Sequence, residues 1–108
     1  MAKLEKTLYG DFDTLLQRIE RGVLGGSISA SLEDGSDYRA ADARCSVRVF
    51  ERYSYMGNNR VSMNVTLFQS GSGPVQLCAI TSGGSQALFF KINTIGEESF
   101  LSTLESLL

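Results

Sequence analysis

The chain of 108 residues contains no histidine. That removes the commonest general acid/base and the commonest metal ligand together. A Ser–His or Cys–His nucleophile pair therefore has no base within the chain. Long apolar runs are missing as well. None exceeds a few residues, as at Ala87-Leu88-Phe89-Phe90, far short of the roughly 20 needed to span a bilayer. The opening Met1-Ala2-Lys3-Leu4-Glu5-Lys6 mixes charge with apolar side chains and holds no signal-peptide h-region. The expectation is a cytoplasmic protein with no membrane partner. Charge of one sign is also lacking. Ten basic residues face twelve acidic ones, for a net charge of −2, so no global field points to nucleic acid.

The composition is that of a globular protein, with 43% hydrophobic and 20% charged residues. The length fits one domain over residues 1–108. Residues 2–8 alternate, with Leu4 and Leu8 on one side and Lys3, Glu5 and Thr7 on the other. They read as a short N-terminal edge strand whose apolar side is interrupted by Lys6. Asp11 is placed as an N-cap. Phe12, Leu15, Leu16, Ile19 and Val23 follow at helical spacing and predict an amphipathic helix over 12–23, closed by Gly25-Gly26.

Five strand-like segments come next. In 27–33 the alternation turns Ile28, Ala30 and Leu32 inward. Asp34-Gly35-Ser36-Asp37 has the chemistry of a turn. In 44–53 the apolar set Cys45, Val47 and Val49 is expected to face the helices. Arg44, Ser46, Arg48, Phe50 and Arg52 then face outward. In 60–68 the inward set is Val61, Met63, Val65 and Leu67, and Arg60, Ser62, Asn64, Thr66 and Phe68 point out. In 75–81 Val75, Leu77 and Ala79 are inward, opposed by Gln76, Cys78 and Ile80. Residues 86–92 read as a last strand. Thr94 and Glu97 form a capping box before a short helix carrying Phe100, Leu101, Leu104 and Leu108. The fold class is α+β, two-layered: an antiparallel meander with both helices on one face.

With these parities, Cys45 and Cys78 lie on opposite sides of the sheet and form no disulfide with one another. The arginines are the more distinctive feature. Arg39, Arg44, Arg48, Arg52 and Arg60 are five of the ten basic residues. On one strand, Arg44, Arg48 and Arg52 line a stripe at about 13 Å intervals. Two uses are open for it. One is an anion site, extended by Arg60 and the glycine-rich 82–85 loop. The other is a solvated face whose cations discourage aggregation. The same face carries Phe50, Phe68, Cys78 and Ile80. An uncovered antiparallel face is normally polar, so a second subunit is a candidate cover. No segment carries a Walker lysine, a calcium loop or an RNA-binding fingerprint.

Tyr9-Gly10-Asp11-Phe12-Asp13, Gly26-Ser27-Ile28-Ser29-Ala30-Ser31-Leu32-Glu33-Asp34-Gly35-Ser36, Val49-Phe50-Glu51-Arg52-Tyr53-Ser54 and Ala79-Ile80-Thr81-Ser82-Gly83-Gly84-Ser85-Gln86 resemble an uncharacterised family of small bacterial proteins, a domain of unknown function. The resemblance spans nearly the whole chain and implies a bacterial cytoplasmic protein without an assigned activity. The helix–meander–helix order is similar to the frataxin-like architecture, an analogy of fold alone.

The reading that results is a non-catalytic binding or assembly module acting through the outer sheet face, with a homodimer as candidate partner. Its candidate face comprises Arg44, Arg48, Phe50, Arg52, Arg60, Phe68 and Cys78. The alternative is a small anionic-ligand binder using the arginine stripe and the 82–85 loop. A thiol- or carboxylate-based enzyme ranks last. No catalytic residue, metal ligand or cofactor is assigned.

Overall fold

A computed structural model describes residues 1–54, 59–83 and 100–108. In chain order the elements are β1 (Ala2–Leu8), α1 (Phe12–Gly25), β2 (Ser31–Ala40), β3 (Ala43–Ser54), β4 (Asn59–Ser70) and β5 (Val75–Gly83). Helical residues 100–105 follow as α2. The strands form one antiparallel sheet in the order β1-β5-β4-β3-β2. This is the expected α+β class. β2 to β5 make the meander, and the N-terminal strand returns to pair with β5. The strand expected at 86–92 and the capping box at Thr94 and Glu97 lie outside the described residues.

α1 forms as its sequence dictates. The Asp11 carboxylate accepts hydrogen bonds from the Thr14 backbone N–H at 3.0 Å and its hydroxyl at 2.9 Å. Phe12, Leu15, Leu16, Ile19 and Val23 are buried on one face. The helix runs to Gly25, two residues past the expected end, and the Gly26 N–H donates to the Val23 carbonyl at 3.2 Å. Gly22 allows the turn after α2 to come close: a Cβ there would run into the Leu107 side chain.

β2 departs from the sequence reading. Ile28, expected inward, is fully exposed, and the strand starts at Ser31. Asp34-Gly35-Ser36-Asp37, expected as a turn, continues the strand opposite Val49, Arg48, Val47 and Ser46. A bulge between Leu32 and Asp34 shifts the register. The turn sits later, at Ala41-Asp42, with Ala41 at φ 53°. Turn-favouring residues were tolerated in a strand because β2 is an edge, nearly all exposed, and edge strands carry charge and bulges against unwanted pairing.

The second correction is the parity of β3. Ser46 and Phe50 are buried, and the Arg44, Arg48 and Arg52 side chains reach the helices. Cys45, Val47 and Val49 occupy the opposite face. The register explains why. Phe50 lies opposite Met63, Arg48 opposite Val65 and Ser46 opposite Leu67, and directly opposed residues share a face. Met63, Val65 and Leu67 are all buried, so their β3 partners face the helices with them. A one-residue difference in parity moves a whole strand's side chains across the sheet.

The core lies between this inner face and the helices. It comprises the apolar face of α1, Phe50, the inward residues of β4 and β5, and Phe100 and Leu104 of α2. Burying one such Val, Leu, Met or Phe side chain contributes roughly 1.5–3 kcal/mol. β4 and β5 follow the expected alternation throughout. Lys6, on the inner side of β1, is accommodated by Glu105 of α2 at 3.4 Å.

Candidate functional site

The structure divides the seven candidate residues between the two faces. Arg44, Arg48, Phe50 and Arg52 are on the helix side; Arg60, Phe68 and Cys78 are on the outer side. The expected outer stripe of Arg44, Arg48 and Arg52 therefore does not exist, and Phe50 is a core residue with no exposed surface.

Each inner arginine is engaged. The Arg44 guanidinium grips Asp13 at 2.8 and 3.2 Å and lies 3.9 Å from the Phe12 ring centroid. Hydrogen bonding from Arg44 holds the Asp13 carboxyl below its ordinary value. Arg48 donates from Nε to Glu20 at 3.1 Å and from Nη2 to Asp37 at 3.1 Å. Its Nη1 donates to the Val47 carbonyl at 2.9 Å. The buried Ser46 hydroxyl donates to Asp37 at 2.6 Å and is the main reason that carboxyl is also held low. Arg52 lies 4.5 Å from the Phe100 ring centroid and donates to the Thr103 hydroxyl at 3.2 Å. Burial lowers its pKa below the usual arginine value. These cations fasten helices to sheet, their stems lying along apolar surface and their heads at its edge.

Sequence spacing carried a signal for this. Asp13 and Glu20 lie two helical turns apart, about 10.5 Å along α1. Arg44 and Arg48 lie four residues apart, about 13 Å along β3. The spans are near enough for long side chains to bridge.

The outer face is covered by no described element. It is built from cross-strand rows. Tyr38, Cys45, Phe68, Gln76 and Thr7 form one; Ser36, Val47, Thr66, Cys78 and Glu5 the next; Asp34, Val49, Asn64, Ile80 and Lys3 a third. Ser31, Glu51, Ser62 and Ser82 follow. Tyr38, Phe68 and Ile80 are exposed at 63%, 45% and 39%, and Cys45, Val47 and Val49 are half-buried. Tyr38, Cys45, Val47 and Val49 are the outer-face members that sequence reasoning left out. Two cations of this face are paired with acids, while the Asp34 carboxylate, among the described residues, accepts only from the Gly35 N–H at 2.8 Å. Lys3 meets Glu5 at 3.1 Å, and Arg60 meets Glu51 at 2.7 Å and Ser31 at 3.3 Å.

Phe68 stands between two hollows. One, of about 270 Å³, lies toward β2 and β3 and is lined by Tyr38, Arg39, Ala40, Ala43, Arg44, Cys45 and Phe68. The other, of about 310 Å³, lies toward β5 and β1 and includes Glu5, Thr7, Thr66, Gln76 and Cys78. Both thiols are free. They share the outer face, contrary to the expected opposition, and β4 separates them. Ser82 and Gly83 of the expected 82–85 loop belong to β5; Gly84 and Ser85 lie outside the described residues. Among the described residues, no three His, Cys, Asp or Glu side chains are grouped to hold a metal, and no helix is long and apolar enough to cross a membrane.

The family model described as "Family of unknown function (DUF6054)" matches residues 1–108, and the chain belongs to that family. No curated protein matches the chain. No solved structure matches it either.

Proposed function

We propose that this member of a family of unknown function is a non-catalytic assembly module whose outer sheet face pairs with a second copy of itself. One observation carries the reading: Tyr38, Cys45, Val47, Val49, Phe68 and Ile80 occupy adjoining rows of a sheet face that no described element covers. A contiguous apolar patch on a sheet otherwise suited to polar residues marks an interaction surface.

Two features favour a second copy as the occupant. Lys3–Glu5 and Arg60–Glu51 pair the cations of the face internally and leave one carboxylate, Asp34, on the edge strand β2, so the centre of the face meets its own image without like-charge repulsion. Its size is also suitable. Five strands at about 4.8 Å spacing and about 30 Å of strand length present roughly 700 Å², close to the ~800 Å² per partner of a standard interface. The acids of α1 and β2 that hold Arg44 and Arg48 favour this reading over the anion-binding alternative.

Sedimentation velocity over a concentration series tests the proposal. The expected result is a dimer for the wild type and a monomer for Val49→Lys and for Ile80→Lys, with far-UV circular dichroism unchanged. A wild type that stays monomeric up to millimolar concentration overturns it.

A further inference from the structure

We infer that Phe68 is the knob of this self-association and that the Tyr38–Cys45 hollow is its socket, each copy's Phe68 ring entering the other copy's hollow. The inference rests on the face-to-face pairing proposed above and specifies its register. Phe68 projects from β4 at the centre of its cross-strand row, with nearly half its surface exposed. Beside it is an open, mainly apolar hollow of about 270 Å³ lined by Tyr38, Phe68, Ala40, Ala43 and Cys45, with Arg39 and Arg44 also bordering it. The hollow is open to solvent on one side, and its volume exceeds the roughly 150 Å³ of an enclosed cavity that admits benzene, so there is room for a phenyl ring that a second copy would cover.

Symmetry makes the pairing reciprocal. In a two-fold interface the same patch serves both copies, so a knob contacting a socket implies the reverse contact as well. Knob and socket on one face, side by side, satisfy that condition in a single chain. The ring of Phe68 then lies between Tyr38 of the partner and its own sheet, in an aromatic arrangement that adds to the area buried. The two small residues lining the socket are explained too. Ala40 and Ala43 close the β2–β3 hairpin opposite one another, and larger side chains at either position fill the space.

The test uses three variants of the full chain. Phe68→Ala removes the knob, Ala43→Phe fills the socket, and the double variant combines them. Each single variant is expected to weaken dimerisation at least 30-fold, the loss typical of an interface hot spot. The double variant is expected to weaken it by far less than the product, because both changes remove one contact. Phe68→Tyr is expected to stay within threefold of wild type. As an independent readout, the alkylation rate of Cys45, followed by peptide mass spectrometry, falls at least tenfold between dilute and dimeric wild-type protein.

A wild type that is dimeric, is split by Val49→Lys and Ile80→Lys, and tolerates both Phe68→Ala and Ala43→Phe within threefold leaves the face pairing standing and overturns this register. Multiplicative effects in the double variant overturn it as well. A monomeric wild type overturns both proposals.

Discussion

Arg48 of β3 and Glu20 of α1 form an ion pair at 3.1 Å in which the arginine side chain is only 13% exposed. The same guanidinium reaches Asp37 of β2 at 3.1 Å. One side chain thus ties the helix, a central strand and the edge strand together, and its loss strands two carboxylates. Arg48→Ala is expected to cost about 2–3 kcal/mol, because unpairing a partly buried charge costs more than the pair contributes. Arg48→Met, which keeps the apolar stem, is expected to cost less. Urea denaturation of both variants, with Glu20→Gln to complete a double-mutant cycle, measures this. Equal losses for Ala and Met would show that the stem contributes nothing.

Acid weakens the attachment of β3 to α1 and to β2. Asp13 and Asp37 have folded-state pKa values below their ordinary value of 3.8, through hydrogen bonds from Arg44 and from Ser46 respectively. A depressed carboxylate contributes stability that is complete well above the unfolded pKa and is lost as pH falls toward the folded one. The wild type is therefore expected to lose stability from about pH 5 downward. Asp37→Asn and Arg44→Ala should each flatten that slope. Thermal melts from pH 7 to pH 2.5 follow the change, and an unchanged slope in both variants contradicts the assignment.

Phe50 and Phe68 are expected to behave as opposites. Phe50 is fully buried between sheet and helices, so Phe50→Ala is expected to cost about 3–5 kcal/mol. Phe50→Asp should prevent folding. Phe68→Ala should alter the stability of a single copy by about 0.5 kcal/mol or less, as for an exposed site. Chemical denaturation at a concentration low enough to hold the chain monomeric separates the two.

Cys45 and Cys78 should remain thiols under mild oxidation within one chain. They flank β4, opposite Phe68 and Thr66, which places their Cα atoms about 12 Å apart by strand spacing and rise. A disulfide needs less than about 7 Å. Alkylation of the unfolded chain after air oxidation of the monomer is expected to add two groups. Loss of both sites with no change in molecular size contradicts this.

Two glycines should respond to alanine with opposite signs. A Cβ at Gly35 would stand 2.9 Å from the Val47 carbonyl oxygen and 2.8 Å from Arg48 Cδ. Gly35→Ala is expected to cost about 1–3 kcal/mol through overpacking. At Gly25, in the last turn of α1, nothing lies within 4 Å. Gly25→Ala is expected to be neutral or to stabilise by up to about 1 kcal/mol. Melting temperatures of the two variants decide it.

Where one physical requirement governed a segment, the amino-acid sequence by itself determined the outcome. α1 needed one apolar stripe and an N-cap, and both are present. β4 and β5 alternate cleanly between apolar and polar, so each has only one way to face a core. The absence of histidine means that no Ser–His or Cys–His pair forms within this chain, which is plain without any coordinates. Tertiary structure alone decided β2 and β3. Both parities of β3 offer apolar surface, Cys45-Val47-Val49 on one side and Phe50 with the arginine stems on the other. Local pattern favours the first. The ladder with β4 and the acids of α1 select the second, because Phe50 pairs with Met63 and Arg44 and Arg48 find Asp13 and Glu20. The ladder with β4 and the charge pairs to α1, contacts between elements distant in sequence, together overrode the local pattern and turned the valines and Cys45 outward beside Phe68.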